Sequence, residues 1–374
     1  MLIEIIGIGA PNKGAELMLV SVMEQIKKHI PTAKFVLEPY TQFEHRAKYQ
    51  CLQKAWFTYK GFQVGNVFKL VPKPIRKKFG IVLDEEVDVV LDASGFAYGD
   101  QWGRKKANDR LGRYIVNWKK QGKKIILLPQ AFGPFSTHNF KNEMRIIIQH
   151  ADKVFCRDEM SFHFMDDITP NVVEQSPDFT NLCTSYLPLT LAERTFDVCI
   201  IPNSKMIDMT SKDVGFNYIE SLVDGINYLQ HNGRTPFFLL HEGKSDKALF
   251  EKLNTKLKQP LEIIELDDPQ HIKGVIGVSK LVISSRFHGL VSALSQGVPC
   301  IASGWSHKYK MLMRDYHCEH LMIGADETLN DKLSFMLDKG NYLSIQQVIS
   351  ISSEKQKKLT QAMWQSIFLL IDSR

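Results

Sequence analysis

The sequence predicts an α/β fold of two Rossmann-like domains, and three observations lead there. Strand-like apolar runs alternate with helical patterns along the whole chain, the mark of βαβ units and parallel sheets. The pattern breaks at Tyr186-Leu187-Pro188-Leu189, and a new strand–helix series follows. The length of 374 residues exceeds what one ordinary core organises. The expected domains are therefore residues 1–190 and 191–374.

The first series opens with a strand at Leu2–Ile6 and a helix over residues 15–29. Residues 87–91 read as the next strand and 110–120 as an amphipathic helix. Strands are expected at 124–128 and 153–156, with a weaker one at 171–173. The second series has strands at 197–201, 236–240, 261–266, 281–284 and 300–302. Helices over 216–231 and 246–257 lie between them, and residues 353–371 form a terminal amphipathic helix suited to crossing back onto the first domain. Ligands of such folds sit beyond the carboxyl ends of the strands, so a cleft between the domains is the expected site.

Composition removes several function classes. A net charge of +6 is mild for this length and gives no reason to expect nucleic acid as a partner. No apolar run approaches the roughly 20 residues that span a bilayer, and the N-terminus has no signal-peptide pattern. The cysteines Cys51, Cys156, Cys183, Cys199, Cys300 and Cys318 are scattered, several within apolar runs. They read as reduced core residues, which fits a cytoplasmic protein and no metal site. Lys69, Lys73, Arg76, Lys77 and Lys78 form a local basic cluster. It is either a solvated loop or a contact for anionic lipid or a diphosphate-bearing substrate.

Two glycine signals fail. Gly7-Ile8-Gly9 follows a strand, but Asn12 stands where a dinucleotide fingerprint needs glycine. Gly9 and Gly14 have P-loop spacing, but Ala15-Glu16 replace the required Lys-Ser/Thr. The aromatic run at residues 56–59 reads as packing or a flap rather than a base-stacking platform.

The most informative stretch is residues 281–308. Leu281-Val282-Ile283-Ser284 is a buried strand, Ser285-Arg286-Phe287-His288-Gly289 a turn, and 290–295 a helix ended by Gly297 and Pro299. Arg286 and His288 thus sit at a strand's carboxyl end and a helix N-terminus, where free N–H groups and the helix dipole favour an anion. Arg286 can fork onto a carboxylate or phosphate, and His288 titrates near neutrality and can carry a proton. Taken singly, each is as readily structural: Arg286 paired with an acidic neighbour, His288 as a cap. Lys308, after the next strand, adds positive charge or is an ordinary surface lysine.

At these residues the chain resembles the polysaccharide pyruvyltransferases. Ser285-Arg286-Phe287-His288-Gly289 with Ala293, Gly297, Pro299 and Lys308 is similar to that family's C-terminal signature. Asn12-Lys13-Gly14, Pro129-Gln130-Ala131-Phe132-Gly133-Pro134, Arg157-Asp158 with Ser161, and Pro177-Asp178 resemble its other short elements, in order. The resemblance implies a GT-B-like pair of Rossmann domains. It also implies transfer of the enolpyruvyl skeleton of phosphoenolpyruvate onto two sugar hydroxyls, giving a cyclic ketal. Two departures stand out. Many members carry an arginine on the first strand of the second domain, where this chain reads Ile201-Pro202-Asn203-Ser204-Lys205. The glycine-rich turn after the third element is altered to Ala93-Ser94-Gly95-Phe96.

The ketal chemistry assigns provisional roles. His288 is the expected acid–base group, with Arg286 as clamp. Ser285, Gly289, Lys308 and Lys205 complete the expected donor side. Asn12, Asp92, Asp100, Gln130, Asp178 and His241 lie at predicted strand ends or the domain break, as sugar-hydroxyl contacts or as loop caps. No metal or cofactor is expected beyond phosphoenolpyruvate as donor substrate. The expected partner is a sugar or lipid-linked oligosaccharide, with peripheral contact at the inner membrane face. The alternatives are a GT-B glycosyltransferase using a sugar nucleotide and a non-catalytic glycan-binding relative.

Overall fold

Two parallel sheets organise the chain. The computed structural model describes residues 1–9, 12–59, 62–208, 212–324 and 327–373. In the first sheet the strands are β1 (Leu2–Ile6), β2 (Lys34–Leu37), β3 (Leu52–Lys54), β4 (Ile81–Val82), β5 (Val89–Asp92), β6 (Lys124–Gln130), β7 (Lys153–Cys156) and β8 (Glu174–Gln175). Their order is β8-β7-β6-β5-β1-β2-β3-β4. The second sheet contains β9 (Val198–Ile201), β10 (Pro236–Leu239), β11 (Ile263–Ile264), β12 (Leu281–Ser284) and β13 (Cys300–Ala302), in the order β11-β10-β9-β12-β13. Every pair within these sheets is parallel. Each sheet grows outward, then reverses beside its first strand, so each has a topological switch point at its centre.

The central strands β5, β9 and β12 are buried along their length, as is the edge strand β13, because helices cover both faces of such sheets. That is why they read as continuous apolar runs. Five of the six cysteines are buried, and Cys51 is half-buried.

The chain divides into two compact units. The first comprises Met1–Ala10, Met18–Phe179 and Gln361–Arg374, and the second Pro11–Leu17 and Thr180–Thr360. The boundary therefore falls before the expected residue 190. Residues after it bond into the second unit: Lys273 Nζ donates to the Thr180 carbonyl at 2.7 Å, and Gln270 Nε2 to that of Thr184 at 2.9 Å. The terminal helix runs over Lys339–Asp372, far longer than residues 353–371. Its last turns belong to the first unit rather than wholly to residues 191–374, with Trp364, Ile367 and Ile371 buried there.

Other departures are local. The expected helix over 110–120 is a composite: helical at Gly103–Ala107, a π-turn at Asn108–Gly112, and helical again at Arg113–Lys120. The weak strand at 171–173 is displaced to Glu174–Gln175. Strands β2, β3 and β4 were not among the expected elements; Lys54, a charge inside β3, disguises one of them.

Candidate functional site

Register places the site in the second unit. Ile201 pairs with Ser284, and Ser284 with Ala302, so β9, β12 and β13 end side by side. The residues just beyond them, Asn203, Ser285 and Ser303, are consequently neighbours. Asn203 Nδ2 donates to the Ser285 carbonyl at 3.0 Å, and Tyr309 Oη donates to the same oxygen at 3.1 Å. The Ser285 hydroxyl lies 2.8 Å from Tyr218 Oη and 2.7 Å from Ser303 Oγ. Asn203 thus ties the strand ends together. Burial pushes both the Tyr218 and Tyr309 phenols up to about 12, so both remain neutral hydrogen-bonding groups.

Arg286 is the N-cap residue of the helix Phe287–Leu294, with its backbone N–H held by Ser284 Oγ at 3.0 Å. Its side chain is buried and fully engaged by acids. Nε donates to Asp246 Oδ2 at 3.0 Å and Nη2 to Asp246 Oδ1 at 2.5 Å. Nη1 pairs with Glu242 Oε2. Asn12 Nδ2 donates to the other Glu242 oxygen at 2.9 Å, while Asn12 Oδ1 caps the helix Lys13–His29 through the Ala15 N–H at 3.1 Å. Burial opposes charge on both ion-pair partners, pushing Asp246 up to about 7 and Arg286 down to about 10. The two charge-assisted bonds between them favour the ionised pair. The guanidinium therefore faces two carboxylates, and an incoming anion must compete with Glu242, the more exposed of the two.

His288 is the second residue of the same helix, within its first turn, and is half-buried. Its position explains Gly14: a Cβ there would stand 2.5 Å from His288 Nδ1. The Asn-x-Gly element thus serves two neighbours at once, Glu242 through Asn12 and the imidazole through Gly14. Asn12 was expected on the acceptor side of the first domain; it lies in the second unit, because residues 11–17 cluster there. His241 is buried beside this group. Burial first, then the nearby charges of Arg286 and His288, push it down to about 3, so it stays neutral at pH 7.

The remaining expected donor contacts divide. Lys308 Nζ lies over the rings of Trp305, Phe287 and Tyr309 at 5.3, 5.4 and 5.4 Å, close to the Arg286 turn. Lys205 is exposed, 3.9 Å from Asp208, though its charge is felt at Asp246. Gly289 serves packing: a Cβ there would meet Ser284 Oγ at 2.7 Å and Ile201 Cδ1 at 3.2 Å. The Ser285 hydroxyl already has two hydroxyl partners.

Other residues expected to touch acceptor lie in the first unit, Asp92 and Gln130 at strand ends and Asp100 and Asp178 in loops. Asp92 is buried; it accepts from the Ser94 N–H at 3.0 Å and from the hydroxyls of Ser94 and Tyr98. Asp100 accepts from the Ser136 N–H at 2.9 Å. Asp178 is buried against Arg157, 3.1 Å away. These three act as turn and loop fasteners. Gln130 differs: its amide is buried at the end of β6, and neither amide atom has a hydrogen-bond partner among the described residues. Glu242 and Tyr218 are the site residues that the sequence did not reveal. The one visible signal for Glu242 was its position just after His241.

By fold the chain is a GT-B-like α/β protein. HepE from Anabaena, solved with UDP and glucose, is similar over 100% of this chain and 99% of its own, at 12% identity and a TM-score of 0.57. The UDP-GlcNAc 2-epimerase from Methanocaldococcus jannaschii matches over 91% and 94%, at 14% identity and a TM-score of 0.53. That of Neisseria meningitidis, bound to UDP-GlcNAc, matches over 97% and 100%, at 11% identity and a TM-score of 0.52. At such identities the likeness is one of fold. No curated protein sequence matches the chain significantly. The chain belongs to the polysaccharide pyruvyl transferase family, whose model matches residues 12–307. That span includes Asn12, Gly14, Gln130, Arg286 and His288, and stops one residue short of Lys308.

Proposed function

We propose that the protein transfers the enolpyruvyl skeleton of phosphoenolpyruvate onto two hydroxyls of a sugar in a polysaccharide precursor, giving a pyruvate ketal and inorganic phosphate. The observation that carries this reading is the pairing of Arg286 and His288 at one strand end, at a switch point, within the span matched by the family. His288, as imidazolium, gives a proton to the donor methylene carbon, and the first sugar hydroxyl adds to the central carbon and loses its proton. Departure of phosphate leaves an oxocarbenium centre, which the second hydroxyl attacks to close the ring, giving up its proton to the released phosphate. Acid–base help of this kind is worth roughly a hundred- to ten-thousand-fold. Arg286 turns from Glu242 to the donor's anionic groups, with Lys308 adding positive charge. No metal or cofactor takes part in this scheme. The acceptor is a sugar or lipid-linked oligosaccharide, and the protein works in the cytoplasm with peripheral contact at the membrane face.

The test is turnover of phosphoenolpyruvate with a panel of sugar acceptors. The expected result is release of inorganic phosphate, with the acceptor gaining one pyruvylidene unit. His288→Ala should abolish turnover while acceptor binding persists. Release of a nucleoside diphosphate from a sugar nucleotide instead would sink the reading. Binding without turnover of any donor would favour a glycan-binding role.

A further inference from the structure

A cavity of about 530 Å³ opens in the first unit, at the carboxyl edge of its sheet. One wall is formed by Glu38 and Tyr40, just after β2, and Trp56, just after β3. The rest of the lining comes from the composite helix, from Trp102 to Tyr114. The volume lies in the range of small-molecule sites. None of the residues assigned above to donor or acceptor lines it.

Its chemistry is specific in two respects. The first is aromatic. Trp56 is fixed from two sides: its ring stands edge-on to Tyr114, with centroids 4.8 Å apart, and Lys54 Nζ lies 4.0 Å from its centroid. Lys54 is itself locked by Glu4 and Asp84, each at 2.8 Å. Trp102, also in the lining, is 39% exposed, with Lys106 Nζ 4.2 Å from its ring. The second is cationic. Lys105, Lys106, Arg110 and Arg113 line the cavity against only Glu38 and Asp109. Asp109 is taken by Arg113, and among the described residues Lys105 and Arg110 pair with no carboxylate. Burial, and after it the charge of Arg110, hold Lys106 below its ordinary range.

The wall that carries these cations is unusual backbone. Asp109 and Arg110 lie on the π-turn Asn108–Gly112, a rare geometry that occurs frequently at functional sites. Glu143 holds it in place: Asn108 Nδ2 donates to Glu143 Oε1 at 3.0 Å, and a Cβ at Gly112 would collide with that oxygen.

A sugar ring offers an apolar C–H face to an indole and a rim of hydroxyls to polar groups. A phosphate suits an arginine fork and neighbouring ammonium groups. We propose that this cavity binds a saccharide through its anomeric phosphate or diphosphate, with the ring against Trp56 and Trp102 and the phosphate on Lys105, Lys106 and Arg110. Calling that saccharide the acceptor rests on the ketal-transfer reading; the binding site does not.

The test is calorimetric titration of the full chain, with tryptophan emission as a second readout. The probes are glucose, glucose 1-phosphate, inorganic pyrophosphate, UDP-glucose and farnesyl diphosphate. Glucose 1-phosphate should bind at least about tenfold more tightly than glucose. A Lys106→Ala/Arg110→Ala double variant, folded by circular dichroism, should weaken binding about tenfold or more, and Lys105→Glu, at an exposed position, in the same direction. Arg286→Ala should leave it within about twofold. The tighter of the last two probes names a nucleotide or a prenyl carrier, and binding of either supports the site. The idea is overturned if no phosphorylated probe binds below about 10 mM. It is equally overturned if glucose matches its phosphate, if the charge variants bind like the parent, or if Arg286→Ala abolishes binding. Probe binding without any turnover of phosphoenolpyruvate would leave the cavity standing and remove the transfer reading. Turnover without probe binding would do the reverse.

Discussion

Gly14 is the residue whose role is most easily tested. A glycine in the first turn of a helix is ordinarily worse than alanine by roughly 0.5–1 kcal/mol. Here the methyl would stand 2.5 Å from His288 Nδ1, so the imidazole must move. Gly14→Ala should therefore lower turnover by about tenfold or more, while the melting temperature stays level or rises. Unchanged turnover would mean that the His288 position is not catalytically constrained. His241 gives a second test. Its folded pKa is pushed from 6.5 to about 3, so between those values the unfolded chain binds a proton that the native state refuses. Stability from this residue is full above its unfolded pKa and is lost as pH falls towards about 3, at about 1.4 kcal/mol per pH unit. His241→Gln should flatten that acid limb in denaturant titrations at pH 4, 5 and 6. An equally steep limb in the variant would show that other groups set it. These roles were only partly legible in the sequence. Arg286 and His288 are visible because strand, turn and helix are local. Glu242 is not, because its importance depends on partners at positions 12 and 286, brought together only by the fold.

At the scale of elements, legibility follows burial. Strands β12 and β13 match the expected residues because both faces are buried and the runs are wholly apolar. Strand β3 escaped because Lys54 sits inside it, buried with Glu4 and Asp84 as counter-charges. The segment from Val64 to Lys78 was legible only as a basic cluster. It folds as a 3-10 turn, Val64–Leu70, and a short helix, Lys73–Lys78. Arg76 turns inward onto Glu86, leaving Lys77 and Lys78 exposed; Leu70 and Phe79 of the same segment are 85% and 74% exposed. Apolar and basic groups exposed together suit the interface of an anionic bilayer, where each basic residue contributes about 1 kcal/mol. The full chain should co-sediment with vesicles containing phosphatidylglycerol and far less with phosphatidylcholine alone. Leu70→Ser/Phe79→Ser should reduce that binding at least about fivefold. Equal binding to both lipids, or by both proteins, would remove membrane contact from the proposed function.

For the molecule as a whole, the terminal helix is the element that the two units share. Among the described residues no helix is long and apolar enough to cross a membrane, and this one, though it runs over Lys339–Asp372, is spent on two cores. Ile345 and Ile349 join the core of the second unit. In the first unit Trp364 stands edge-on to Phe179 at 6.5 Å, Ile367 and Ile371 are buried, and His29 stacks on Phe368 at 4.2 Å. Burying one large apolar side chain contributes roughly 1.5–3 kcal/mol. The buried residues beyond Thr360 thus supply an amount comparable with the roughly 5–15 kcal/mol that holds a whole domain. A chain ending at Thr360 keeps Arg286, His288 and their partners, all of which lie in the second unit. In calorimetry it should retain the transition of the second unit and lose, or strongly shift down, that of the first. Binding to the Trp56–Trp102 cavity should fail with the first unit. A truncated chain that melts like the parent would mean that the last turns are ornamental to the first core, and the burial of Trp364 would then need another explanation.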